Sequence, residues 1–302
     1  MHRPKLPANF PGDAESTELA RTDSRDVWVA AIVVAAVACF YCLTLRAGHV
    51  WGDDFAHYIL QARSLSEGRS IAANNYIVNP TTVYLAPKVV PPGLSVILIP
   101  VVRLFGVNLT PMKILLSLIV AGAWGVFYFL CRLYLSRLWS VAAVLIVSLN
   151  PLVIDMRDSV TPEKPYYLFS LLAIYWLTKA YWHAPQEEPL MKLAIPLGII
   201  LYAAYATRNL SVALFPAVPI FDWLRMRRMT RFPVVVLAVT GILGLIHTII
   251  LSTASGYGQL FSLSPSWIVR SAVAFAIELS RFWSNGYSAA LGGLLAAVIL
   301  LC

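Results

Sequence analysis

The stretch PMKILLSLIVAGAWGVFYFL, Pro111 to Leu130, decides the fold. It is apolar almost throughout and has the length of about 20 residues that an α-helix needs to cross a bilayer. Similar runs occupy 27–45, 138–154, 166–182, 193–207, 210–224, 233–252 and 286–302, so the sequence predicts an all-α integral membrane chain with about eight transmembrane helices. Composition agrees: 59% of the 302 residues are hydrophobic and 13% charged, with a mean hydropathy of +0.72, far above an ordinary soluble domain.

A net charge of +8 could suggest nucleic acid, but the Lys and Arg residues stand in short clusters between apolar runs rather than along one polar face. Membrane topology accounts for them instead. Arg132 and Arg137 form one basic loop, and Arg225, Arg227, Arg228 and Arg231 a denser one, with four predicted spans between. Both loops then share a side, which the positive-inside rule makes the cytoplasm. Residues 1–26 become a cytoplasmic tail, 27–302 the membrane domain, and the polar loops at 46–110 and 155–165 face outward. Residues Ala36 to Cys39 are similar to a lipoprotein cleavage box, but the apolar run continues through Phe40 to Leu45, so the first helix reads as uncleaved. The chain stays apolar to Cys302, which leaves open a further C-terminal region.

Two segments of the first outer loop carry structure. Phe55, Tyr58, Ile59, Ala62 and Leu65 share one helical face, with His57, Gln61, Arg63 and Ser64 elsewhere, which predicts a short amphipathic helix lying on the outer membrane surface and closed by Gly68. Pro91 to Val107 is apolar but broken by Pro100 and Arg103. It reads as a juxtamembrane or re-entrant segment.

The acids of the outer loops are the chemical candidates. Asp53 and Asp54 precede the amphipathic helix, either as its N-cap or as a general base for an acceptor hydroxyl. The second loop contains Asp158 and ends Thr161-Pro162-Glu163, an ordinary helix start in which Thr161 caps and Glu163 meets the positive helix end. Arg46, Lys88, Arg157, Lys164 and Arg208 face the same side, as interfacial anchors or as a clamp on a phosphate. Trp51, Tyr76, Tyr84 and Trp267 read as belt aromatics or sugar-stacking groups. His49, His57, His183 and His247 have no metal-ligand spacing.

The stretch from Gly52 to Gly68, GDDFAHYILQARSLSEG, resembles the first outer loop of GT-C glycosyltransferases, in particular relatives of the protein mannosyltransferases and aminoarabinose transferases. Lys88-Val-Val-Pro-Pro-Gly-Leu94 is similar to that family's Pro-Pro segment, Asp158 to Pro165 to its second acidic motif, and Thr207-Arg208 to a short Thr-Arg element. The resemblance implies a GT-C-like bundle in the plasma or inner membrane, with its active site outside. It would transfer a sugar from a polyprenyl-phosphate carrier to a glycan, lipid or protein hydroxyl, with a divalent cation optional. It places Asp54, or Asp53, at the catalytic base. Glu163 falls at the second acid. Asp158, Lys88, Arg208, Tyr58 and Tyr84 are then substrate-binding. A transporter or lipid flippase, and a non-catalytic membrane subunit, are the alternatives.

Overall fold

A computed structural model describes residues 23–48, 55–71, 73, 90–182 and 188–251. Among these the chain is helical, without strands. In chain order the helices are α1 (Ser24–Leu43), α2 (Phe55–Ser66), α3 (Gly93–Phe105), α4 (Leu109–Arg132), α5 (Arg137–Ser148), α6 (Pro151–Met156), α7 (Glu163–Ala180), α8 (Ala194–Thr207), α9 (Ala217–Met226) and α10 (Arg231–Leu251). The expected span at 286–302 lies outside the described residues.

Three of these helices, α1, α4 and α10, are long and apolar enough to cross a membrane, with mean hydropathies of 2.2, 2.2 and 2.3. Each is apolar on nearly every side yet covered by protein on only part of its surface. Trp28, Ile32, Leu118, Ile242, Leu245 and Ile249 all stand exposed. A helix apolar all round needs an apolar surrounding, so these helices are compatible with a membrane protein.

Local sequence sets the helix ends. Asp23 opens α1 through a capping box with Asp26, its Oδ1 accepting the Asp26 N–H at 2.9 Å. Asn108 caps α4 by accepting from the Thr110 N–H. Gly68 and Gly106, with φ of +73° and +66°, close α2 and α3 in conformations that favour glycine.

Two expected spans are not single helices. The run 138–154 is cut where Asn150 accepts from the Leu152 N–H and Pro151 starts a new helix. The run 210–224 is a 3-10 segment, Asn209–Leu214, followed after Pro216 by the 10-residue α9. In each case a proline, which lacks the N–H that would continue the preceding helix, stands at the break.

The structure places a helix over the predicted amphipathic segment, but much of its polar side is covered as well as its apolar side, with Arg63 left exposed. Tyr58, Ile59 and Ala62 join Leu94, Leu98, Met112, Leu116 and Val160 in one apolar cluster. His57 and Gln61, 1% and 0% exposed, are buried too, with His57 Nε2 and Gln61 Nε2 3.0 Å apart. The Ser95 hydroxyl lies 2.8 Å from Gln61 Oε1 and 3.0 Å from the Tyr58 carbonyl. The Pro91 to Val107 segment supplies that cover as α3, whose 13 residues reach about 20 Å, short of a bilayer core of about 30 Å.

The start of α3 fits against the end of α8. A Cβ added at Gly93 would lie 2.4 Å from the Ala206 carbonyl oxygen and 2.8 Å from the Thr207 nitrogen. Both are backbone atoms and cannot rotate away. Gly93→Ala is therefore expected to cost about 1–3 kcal/mol and lower the thermal midpoint in detergent by several degrees. Gly122→Ala, whose added methyl would meet nothing within 4 Å, is the control expected to leave it unchanged or raise it.

Candidate functional site

Two polar rims cap the bundle. At one, α1 begins and α4 ends: the buried Asp26 carboxylate accepts from Arg132 Nε and Arg137 Nε, each at 2.9 Å, and from Tyr128 Oη at 3.1 Å. The ends of α7 and α9 share this rim, where Tyr134 stacks edge-on with Trp182. Tyr181 donates to Asp222 at 2.7 Å. The basic groups around Arg132 and Arg225 thus stand at the same end of the bundle.

At the opposite rim α1 and α8 end and α4 and α7 begin. Its framework is a set of buried cations that hold the exposed carbonyls at the end of α1. Arg157 donates to the Thr44 carbonyl through Nε at 3.1 Å and Nη2 at 2.8 Å. Lys113, 3% exposed, donates to the carbonyls of Arg46 and Gly48. Cations here also offset the negative end of the helix dipole. Lys164 closes the acidic loop on itself, its Nζ donating to the Arg157 carbonyl at 2.6 Å.

Each described acid of this rim has a cationic partner, with Arg46 serving both Asp155 and Asp158. Asp158 accepts from the Arg46 N–H at 2.7 Å and from Arg46 Nε at 2.6 Å. Burial raises its pKa, but these bonds and the nearby Arg157 outweigh that and hold it below the usual carboxylate range. Burial pushes Lys164 down to about 7, with Asp158 opposing the shift and Lys113 and Arg157 adding to it. Glu163 pairs through Oε1 with Arg208 Nη2 at 2.9 Å. Arg208 leaves α8 in an extended conformation, φ −150° and ψ 121°, which carries its side chain off the helix end toward the start of α7.

Three motifs separated along the chain therefore meet here. Pro91-Pro92-Gly93 backs onto the Ala206–Thr207 peptide, the next residue is Arg208, and Arg208 grips Glu163. Tyr58 is 1% exposed and belongs to the apolar cluster that includes Val160, in the same acidic turn. Asp53, Asp54, Lys88 and Tyr84 lie outside the described residues.

The expected cap at Thr161 is not made. Pro162 occupies the N-cap position of α7 with no side-chain bond, and Thr161 Oγ1 is buried with no hydrogen-bond partner among the described residues, as is Glu163 Oε2. Sequence reasoning also missed Lys113. A lone lysine inside an apolar run of spanning length was the available signal. No group of three or more His, Cys, Asp or Glu side chains among the described residues is arranged to hold a metal ion.

Comparison with protein-family models, with curated proteins and with solved structures finds no match for this chain.

Proposed function

We propose that this chain is a multi-pass membrane glycosyltransferase of the GT-C type, moving a sugar from a polyprenyl-phosphate carrier to a hydroxyl acceptor at the outer face. The observation that carries this reading is the meeting of Gly93, Thr207-Arg208 and Glu163, the sites of three motifs whose order and type resemble that family. The rim holding Arg132, Arg137 and Arg225 is taken as cytoplasmic on the positive-inside rule, which sets the Glu163 rim outside.

The chemistry asks for a base, a leaving-group partner and a means of holding the sugar. Asp54 takes the proton of the acceptor hydroxyl as its oxygen attacks the anomeric carbon. The bond from that carbon to the phosphate oxygen breaks, configuration inverts, and polyprenyl phosphate departs. Arg208, or Lys88, offsets the charge that collects on the departing phosphate. Glu163 and Asp158 position substrate, and the lipid tail of the carrier lies between helices. A divalent cation, if bound, would screen the phosphate.

Asp54→Asn keeps the shape of the side chain and removes the base. Transfer of label from a polyprenyl-phosphate sugar in membranes is expected to fall by roughly 10²–10⁴-fold. Undiminished transfer would remove Asp54 as the base.

A further inference from the structure

The start of α7 contains two buried polar atoms that the fold leaves unanswered. Thr161 is 2% exposed, and neither its hydroxyl nor Glu163 Oε2 has a hydrogen-bond partner among the described residues. Such atoms cost free energy unless something else satisfies them. The ordinary explanation, a helix cap, is excluded by the geometry, because the N-cap of α7 is Pro162 rather than Thr161 and no side-chain cap bond is made.

We propose that Thr161 and the second oxygen of Glu163 form a hydroxyl-recognition site, in which a ligand alcohol donates to Glu163 Oε2 and accepts the Thr161 O–H.

The neighbouring charges select this ligand chemistry. An anionic oxygen would only accept, and it would be repelled by Glu163. A cationic group would meet Arg208, 2.9 Å from Glu163 Oε1, and the buried Lys164 one residue on. A neutral hydroxyl both donates and accepts, and so satisfies both atoms. A polyol with adjacent hydroxyls is the ligand class that fits, and on the function proposed above it is the sugar being transferred. Because Glu163 Oε1 is already fixed by Arg208, Oε2 is aimed before the ligand arrives, which strengthens discrimination between sugars that differ at one hydroxyl. Thr161 becomes a specificity-determining residue, and Glu163 is divided between holding Arg208 and reading the sugar.

The test uses the full chain purified in a sugar-free detergent and titrated with methyl glucopyranoside, methyl mannopyranoside and methyl galactopyranoside. The readout is the thermal midpoint. At least one glycoside is expected to raise the midpoint of the wild type and of Thr161→Ser, while Thr161→Val requires roughly 5- to 30-fold more of it. Without ligand, Thr161→Val is expected to be as stable as wild type, since it removes an unpaired hydroxyl. Equal responses in wild type and Thr161→Val would overturn the inference. So would no response to any glycoside, the sign of a trapped water only, or a large loss of stability in unliganded Thr161→Val. Glycoside binding without any transfer from lipid-linked sugar would instead leave this site standing and remove the transferase reading on which the identity of the polyol rests.

Discussion

Arg208→Ala is expected to reduce sugar transfer by about 10²–10³-fold, the scale of removing one preorganised group that stabilises developing charge. A guanidinium presents five N–H donors in a planar fork, and the contact with Glu163 engages it through Nη2. The rest of the fork suits a phosphate oxygen at the position where the extended backbone of Arg208 delivers it. Arg208→Lys keeps the charge and loses the fork, so partial activity is expected. An interfacial anchor behaves differently: Lys replaces it fully, and Ala leaves the rate unchanged in protein that still folds. Initial rates of label release from a polyprenyl-phosphate sugar, compared at equal folded protein, separate the two roles.

The second large effect belongs to the other rim and to stability. Asp26 is 1% exposed and is the shared acceptor for Arg132, Arg137 and Tyr128. Removing Asp26 leaves the largely buried Arg132 without its carboxylate, while the more exposed Arg137 keeps Asp23, at a cost of about 3 kcal/mol. Asp26→Ala is therefore expected to lower the thermal midpoint in detergent by well over 5 °C. The transfer rate of the molecules that remain folded should hardly change, because the cluster sits at the end of the bundle away from Glu163. Replacing Asp26, Arg132 and Arg137 together with Leu, Met and Met should recover most of the stability. A single Asp26 substitution with no effect on the midpoint would show that the cluster does not tie α1 to α4 and α5.

These two rims were legible in the sequence to different depths. The helices α1, α4 and α10 follow from composition alone, since a long apolar run has few other ways to satisfy its backbone in lipid. Pro151 and Pro216 stood in plain view as helix breaks, yet both fell inside apolar runs whose summed hydropathy hid them. Helical periodicity found α2 but misjudged its cover, because counting apolar faces does not reveal that Ser95 arrives from α3 to bury Gln61. Thr161 shows the limit of local rules most clearly. The pattern Thr-Pro-Glu normally marks a capped helix start, and only the fold shows the Thr161 hydroxyl without a partner among the described residues and Glu163 turned to Arg208. The pairing of Arg46 with Asp158 is equally non-local. No spacing rule connects two residues that separate helices bring together.

The most direct measurement is made on the purified full chain in proteoliposomes, supplied with polyprenyl-phosphate sugars labelled in the sugar and with hydroxyl acceptors. Free polyprenyl phosphate and labelled product are expected to appear in equal amounts, and both should vanish in Asp54→Asn. Movement of labelled lipid from one leaflet to the other, with the bond between sugar and phosphate intact, would contradict transfer and identify a flippase.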